Sequence, residues 1–267
     1  MKFTFDHDLH IHTHLSTCSG EPEQTVENIL EYAKRNNLSK ICVTDHYWDE
    51  NVPGASFWYQ PQNFFHIKKS LPLPKADGIE FLFGCETDVD KNMTLGIPEE
   101  RYDEFDFIIV PTTHMHMTGF TVDESIGPDC EKRAELWIKR LDAVLNSSLP
   151  FEKVGIAHLT TTLINPSSKE ATINTLNLIP GSEMRRLFAK AEKLGCGIEI
   201  NKDDLYFSDE EAEIFLRPFR IAKECGAKFY LGSDSHSPRA FLDSKERFER
   251  AINLLRLSES DKFVLKT

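Results

Sequence analysis

The 267 residues suffice for one large α/β domain or two small ones, with ample core for either. Acidic residues outnumber basic ones 43 to 31, a net charge of −12 without a run of like charge. Such a surface repels nucleic acid, whose non-specific binding depends on Lys and Arg neutralising phosphates, and no apolar run approaches the ~20 residues that span a bilayer.

Six dispersed cysteines (Cys18, Cys42, Cys85, Cys130, Cys196, Cys225) form no CxxC pair, and Cys42 and Cys85 lie in apolar runs where a reduced, buried thiol is ordinary. The stretch from Met1 to Asp8 is charged and lacks the apolar segment of a secretion signal. Together these features lead us to expect a cytoplasmic protein.

In chain order, Phe3 to Ile11 is the first strand-sized apolar run, ending in His10-Ile11-His12. Thr25 to Arg35 carries Val26, Ile29, Leu30 and Ala33 at helical spacing. Ile41-Cys42-Val43 ends in Thr44-Asp45-His46. Tyr47 to Gly78, rich in Pro, Trp, Phe and Asn without a period, reads as a long loop with room for one helical turn. Phe81-Leu82-Phe83 ends in Gly84-Cys85-Glu86, and Phe107 to Val110 in Pro111-Thr112-Thr113-His114. Thr118 to Asp129 is a second loop, and long loops inside a compact domain are usually lids or binding loops.

Val154 to Ala157 ends at His158. Ser182 to Leu194 reads as a helix with a capping serine and a stop at Gly195. Gly197 to Ile200 ends in Glu199-Ile200-Asn201. Ser208-Asp209-Glu210-Glu211 reads as a capping box, opening a helix that stops at Gly226. Phe229-Tyr230-Leu231 ends in Gly232-Ser233-Asp234-Ser235-His236, and Ala240 to Leu257 reads as a closing helix.

Strands alternating with helices imply right-handed crossovers and a parallel sheet; without repeat or linker, one domain over 1–267 is expected. In parallel barrels the C-terminal strand ends converge on one mouth, where active sites are built. Residues i and i+2 of a strand point the same way, so His10 and His12 can face one ion, as can Asp234 and His236. Imidazole suits Zn, Fe or Mn, and a carboxylate such as Glu86 can bridge two ions. Two ions ~4 Å apart clamp the attacking and leaving oxygens of a displacement.

Taken singly, each residue has a plainer reading: His114 or His158 as a satisfied polar group at a strand end, Asp45 as a turn residue, Glu86 as a rim charge. The set, with a ligand-type residue at every strand end, is what points to a metal cluster. Of the remaining histidines, His7 and His14 read as surface or supporting groups, and His66 has no assigned role. His116, two past His114, could reach the site as a proton donor. Asp8, two before His10, is expected to orient a ligand imidazole.

The order Asp8-Leu9-His10-Ile11-His12-Thr13, Thr44-Asp45-His46, Gly84-Cys85-Glu86, His114, His158 and Gly232-Ser233-Asp234-Ser235-His236 resembles the PHP (polymerase and histidinol phosphatase) superfamily over nearly the whole chain. The resemblance implies an α/β fold, a distorted seven-stranded (β/α)7 barrel of TIM type, with two or three divalent ions at its mouth. A first ion would take His10, His12, Glu86 and Asp234. Glu86 would bridge to a second ion on His114 and His158. A third would take His46, His236 and the residue six past His12, usually His or Asp in the family and here Cys18.

The implied chemistry is hydrolysis of a small phosphate monoester (histidinol phosphate, a nucleotide monophosphate or another) by a metal-bridging hydroxide, with Glu86, Asp234 and His236 as catalytic residues. His236 or His46 could protonate the leaving group if the third site is empty. Arg239 and Lys202 are candidate substrate-binding cations at the mouth, with Lys132 and Arg133 weaker ones. Trp58, Tyr59, Phe64 and Phe65 offer aromatic surface either for stacking on a ring or for a lid packed on the barrel. Three rivals remain. An amidohydrolase shares the His-x-His start but usually needs eight strands and a modified lysine where this chain has Thr113-His114. An exonuclease is disfavoured by the acidic balance, and a non-catalytic metal-stabilised domain by the nearly complete ligand set.

Overall fold

The computed structural model describes residues 1–265. Eight strands form one sheet: β1 (His7–Ile11), β2 (Lys40–Val43), β3 (His46–Tyr47), β4 (Glu80–Thr87), β5 (Phe107–Pro111), β6 (Val154–Ala157), β7 (Gly197–Asn201) and β8 (Lys228–Gly232). Seven run parallel in the order β1-β2-β4-β5-β6-β7-β8, and the two-residue β3 is a side branch on β4. The segment after β8 returns to β1, where Asp234 N donates to His10 O at 2.7 Å and His12 N to Ser235 O at 3.1 Å. The result is a nearly closed barrel, as the sequence leads one to expect.

The helices are α1 (Val26–Asn36), α2 (Phe64–Ile67), α3 (Cys130–Leu145), α4 (Lys169–Leu178), α5 (Gly181–Leu194), α6 (Ala212–Phe215), α7 (Arg217–Glu224) and α8 (Ser244–Leu255). α1 opens on Thr25, whose side chain accepts from Asn28 N, and α5 stops at left-handed Gly195. Ser182 is not the cap of α5. The carbonyl of Pro180 takes the N–H groups of Glu183 and Met184, both at 3.1 Å, so the helix begins one residue before the serine. The Ser208–Glu211 box forms both of its bonds, at 2.8 and 3.4 Å. The helix behind it is split into α6 and α7, because Pro218 brings no N–H to the ladder. The closing helix is likewise shorter than its pattern, with a separate 3₁₀ turn over Pro238–Phe241 ahead of α8.

One set of strand residues, including Ile41, Val43, Ile108, Val110 and Ile156, packs outward under the helices. The opposite set, Leu9, Cys42, Leu82, Phe107, Ile109 and Tyr230, fills the lower barrel interior. Gly155 makes room there, since a Cβ would run into the Tyr230 ring. The β1–β2 register slips by one residue between Asp8 and Ile11. That bulge lets the consecutive residues Leu9 and His10 both face inward, Leu9 into the apolar plug and His10 into the layer above it.

Candidate metal centre

The upper layer of the barrel is polar and almost wholly buried. His10, His12, Glu86 and His158 are at most 2% exposed. Two strand ends reach it through left-handed backbone, His158 at φ 58° and Asp234 at φ 51°, conformations that cost non-glycine residues on the order of 1–2 kcal/mol. β3 places His46 in register with Glu86.

Glu86 is the hub. Its Oε2 lies 3.6 Å from His10 Nε2, 3.3 Å from His12 Nε2 and 2.8 Å from His46 Nδ1. Its Oε1 faces the other way, 3.6 Å from His158 Nε2 and 3.9 Å from His114 Nε2. Asp234 closes the cage, with Oδ1 at 3.0 Å from His12 Nε2 and 3.4 Å from His10 Nε2, and Oδ2 at 3.1 Å from His158 Nε2. Three groups have ligand atoms close enough to share an ion: His10, His12 and Asp234; His10, Glu86 and His158; and His12, His46 and His236.

The hydrogen bonds behind the imidazoles decide where their protons sit. His10 Nδ1 donates to Glu199 Oε1 at 2.7 Å, and His114 Nδ1 to Asp88 Oδ2 at 2.8 Å. His236 Nδ1 donates to the Asp234 carbonyl at 2.8 Å. Ser16 Oγ accepts from His12 Nδ1 at 2.9 Å while donating to Asp45 Oδ1 at 2.6 Å. Each of these rings therefore turns its Nε2 inward, where it can carry a proton or bind an ion. His10 Nε2 and His12 Nε2 face each other at 3.0 Å, a contact that requires a positive charge between them, a proton in the metal-free protein or a metal ion in its place. Glu86 Oε1 and Oε2, His46 Nδ1, His158 Nε2 and Asp234 Oδ1 are buried without an aligned hydrogen-bond partner, close as their neighbours are. Donors that converge on a point rather than on one another fit divalent ions.

Electrostatics agree. Burial opposes charge on His10, yet Glu199, Asp234 and Glu86 outweigh it and hold the imidazole well above its ordinary range. His158 rises to about 9, where Asp234 and Glu86 likewise overcome burial. Burial would raise the carboxyls of Glu86 and Asp234, but the surrounding histidines hold both far below the usual range. Burial lowers His236 to about 3, helped by His12, and lowers His46 as well.

A cavity of about 590 Å³ opens onto this cluster, and His46, His114, His158, Asp234 and His236 line its floor. Cys18 lines the cavity too, but its Sγ falls outside the three groups; His12 joins His46 and His236 instead. His116 reaches the rim and packs edge-on against His114 at 5.4 Å. The expected cations do not arrive. Glu199 and Asn201 take the inward positions of β7, so Lys202 points away, buried, with Nζ donating to Ala240 O at 3.1 Å. Arg239 stands exposed on the 3₁₀ turn, outside the cavity lining. Lys132 donates to Ser125 O at 3.1 Å, and buried Arg133 ties together the carbonyls of Gly127, Met115 and Ile164.

Three supporting residues carried no assigned role in the sequence. Glu199, not Asp8, orients His10; Asp8 accepts from Ser233 N at 2.9 Å and from the Tyr32 hydroxyl at 3.0 Å. Asp88, just past the end of β4, orients His114. Ser16 links His12 to Asp45. His7 sits at the far end of β1, buried rather than on the surface, bonded to Asp6 and to Leu231 N. His14 is exposed, and His66 donates to Leu15 O at 2.8 Å.

Comparison with known proteins agrees with this arrangement. A probable phosphatase from Caldanaerobacter subterraneus is 27% identical over all of this chain and 89% of its own. One from Thermoanaerobacter sp. is 29% identical, covering 93% of this chain and 84% of its own. In fold, the chain is similar to histidinol phosphate phosphatase from Lactococcus lactis, solved with zinc, L-histidinol and phosphate. The TM-score is 0.59 at 19% identity, covering 97% of this chain and 98% of the other. The PHP domain model matches residues 8–203, the span that supplies every ligand-type side chain of the cluster except Asp234 and His236, and the chain belongs to that family.

Proposed function

We propose that this protein is a metal-dependent phosphoesterase that hydrolyses a small phosphate monoester, with two or three divalent ions (Zn, Mn or Fe) held by His10, His12, His46, Glu86, His114, His158, Asp234 and His236. The observation that carries the reading is the inward-facing set of imidazole nitrogens around Glu86, whose two oxygens address two different groups of histidines. Bound ions would supply Lewis acidity toward the phosphoryl oxygens and lower the pKa of a water for attack. The chain's own part is positioning. Glu199, Asp88 and the Ser16–Asp45 pair hold imidazoles in one tautomer, and Glu86 and Asp234 supply the negative charge that collects the cations. His236, whose Nδ1 donates to a carbonyl and whose ring joins His12 and His46 in one donor group, suits a ligand rather than an acid for the leaving group. A cytoplasmic location belongs to this reading, supported by six free cysteines, and so does a single catalytic unit over 1–267.

The test is metal analysis of the purified protein beside a screen of small phosphate esters and amides. Phosphate release that chelation abolishes and Zn, Mn or Fe restores is expected, with His10→Ala, Glu86→Ala and Asp234→Ala each inactive but folded. Ammonia release from amides without phosphate release would replace this reading with the amidohydrolase one. Glu86→Ala retaining most activity would end the bridging role.

A further inference from the structure

The cavity above the cluster is built from two unlike halves. Its floor is the ligand set, while its walls are Trp58, Tyr59, Met117, Phe120 and Leu163. Among the described residues no Lys or Arg lines it, and Asp234, already part of the cage, is its one carboxylate. Elsewhere its lining carries Cys18, Ser56, His116 and Thr118.

The aromatic wall is set in place rather than loosely draped. Trp48, Tyr59 and Phe120 form a buried cluster of their own, with Trp58 and Met117 packed against it. Tyr59 is fully buried and its hydroxyl donates to Asp88 Oδ2 at 3.2 Å, the carboxylate that also holds His114. The Trp48 indole donates to Val52 O at 2.9 Å, and Trp48 N to Gln62 O at 3.0 Å, closing the loop on itself. Trp58 is half-buried and meets the His46 ring edge-on at 4.9 Å, so one face of the wall touches the ligand set directly.

We propose that this wall receives the leaving group of the ester and selects an uncharged, apolar one, an aromatic or branched aliphatic alcohol. This rests on the phosphoesterase reading above and extends it to the substrate's organic half. The phosphate can be met by the floor, but a cationic amine would find no free carboxylate on the walls, and a polyol few partners for its hydroxyls. Desolvating either without replacement bonds is unfavourable, whereas a flat apolar group gains from burial and ring contact. A volume of about 590 Å³ lies within the ordinary range for small-molecule pockets.

The experiment compares alkyl esters whose alcohols are similarly poor leaving groups, so that chemistry does not mask binding: 2-phenylethyl phosphate, glycerol 3-phosphate and phosphoethanolamine, with the metal-loaded protein. A kcat/KM at least about tenfold higher for 2-phenylethyl phosphate is expected. Trp58→Ala should narrow that ratio severalfold, and Trp58→Phe should keep most of it. Turnover that favours glycerol 3-phosphate or phosphoethanolamine, or a ratio untouched by Trp58→Ala, overturns the apolar pocket while leaving the phosphoesterase intact. Absence of phosphate release from all three and from p-nitrophenyl phosphate overturns both.

Discussion

His10 Nδ1 donates to Glu199 Oε1 across 2.7 Å, with both side chains wholly buried. The second oxygen of the same carboxylate accepts from His158 N and from Asn201 Nδ2, each at 3.1 Å. One residue of β7 thus sets the imidazole of β1 and the backbone turn that presents His158. Glu199→Gln would turn an amide N–H toward one of these donors. Metal affinity is expected to fall roughly 10- to 100-fold, with the barrel still folded by circular dichroism. Calorimetric metal titration reads the effect; unchanged affinity would show that Glu199 does not orient the ligand.

The same contact makes Gly232 obligatory. A Cβ there would collide with Glu199 Oε1 and lie 2.6 Å from His10 Cβ, and both neighbours are buried and hydrogen-bonded. Gly232→Ala is therefore expected to cost about 1–3 kcal/mol in urea unfolding of the metal-free protein, and to weaken metal uptake as well. A neutral result would mean that β7 and β8 can slide apart at their ends.

The strand ends were legible because short apolar runs, most of them three or four residues, stop where ligand-type side chains begin, and the barrel forces those stops onto one rim. α3 and α4 were not, and the reason is physical. α3 buries Arg133 and Arg140 among its apolar residues, and α4 buries Thr172 and Thr175, so the stripe that marks an amphipathic helix is interrupted on its inner face. Arg133, Arg140 and Thr172 bond carbonyls outside their own helices that local sequence does not reveal. Asp88 was missed for a similar reason, since its partners His114, Tyr59 and Arg140 lie 26, 29 and 52 residues away. Lys202 and Arg239 were misplaced because nearness in sequence to a ligand says nothing about which way a side chain leaves the rim.

Arg140 shows how much such a group holds. It is fully buried and donates to Asp88 Oδ1 at 2.9 Å, Thr112 O at 2.8 Å, Val89 O at 2.7 Å and Thr121 O at 3.1 Å. Arg140→Met fills the space but takes the guanidinium from the Asp88 carboxylate, which keeps only neutral donors and His114, and leaves the Thr112, Val89 and Thr121 carbonyls unpaired. A loss of about 3–5 kcal/mol in chemical denaturation is expected, together with weaker metal binding through His114. Pairing it with Asp88→Asn should recover part of the loss, because the unpaired charge is then gone. Failure of that recovery would locate the cost in the carbonyls instead.

Protons and metal ions compete for one cage. In the metal-free protein His158 titrates at about 9, above the 6.5 of an ordinary histidine, because Asp234 and Glu86 outweigh its burial. Its contribution to stability is therefore fully present below pH 6.5 and is lost as pH rises through 9. The melting temperature of the chelated protein should fall across that window, by on the order of 5 °C, and saturating metal should flatten the slope. Metal binding at pH 7 to 8 should also release protons into weakly buffered solution. A chelated protein that gains stability from pH 6.5 to 9 would contradict the charge balance described for the cage.

The third group of ligand atoms, His12, His46 and His236, is complete without Cys18. Cys18 lines the same cavity, but its Sγ is not close enough to these three donors to share an ion with them. Cys18→Ala should accordingly bind as many equivalents of Zn as the parent, whereas His46→Ala should bind fewer. In the metal-loaded parent, a thiol reagent should still react at Cys18, which sits on an exposed turn. Loss of an equivalent in Cys18→Ala, or protection of the thiol by metal, would return sulfur to the third position and leave His12 to the first ion alone.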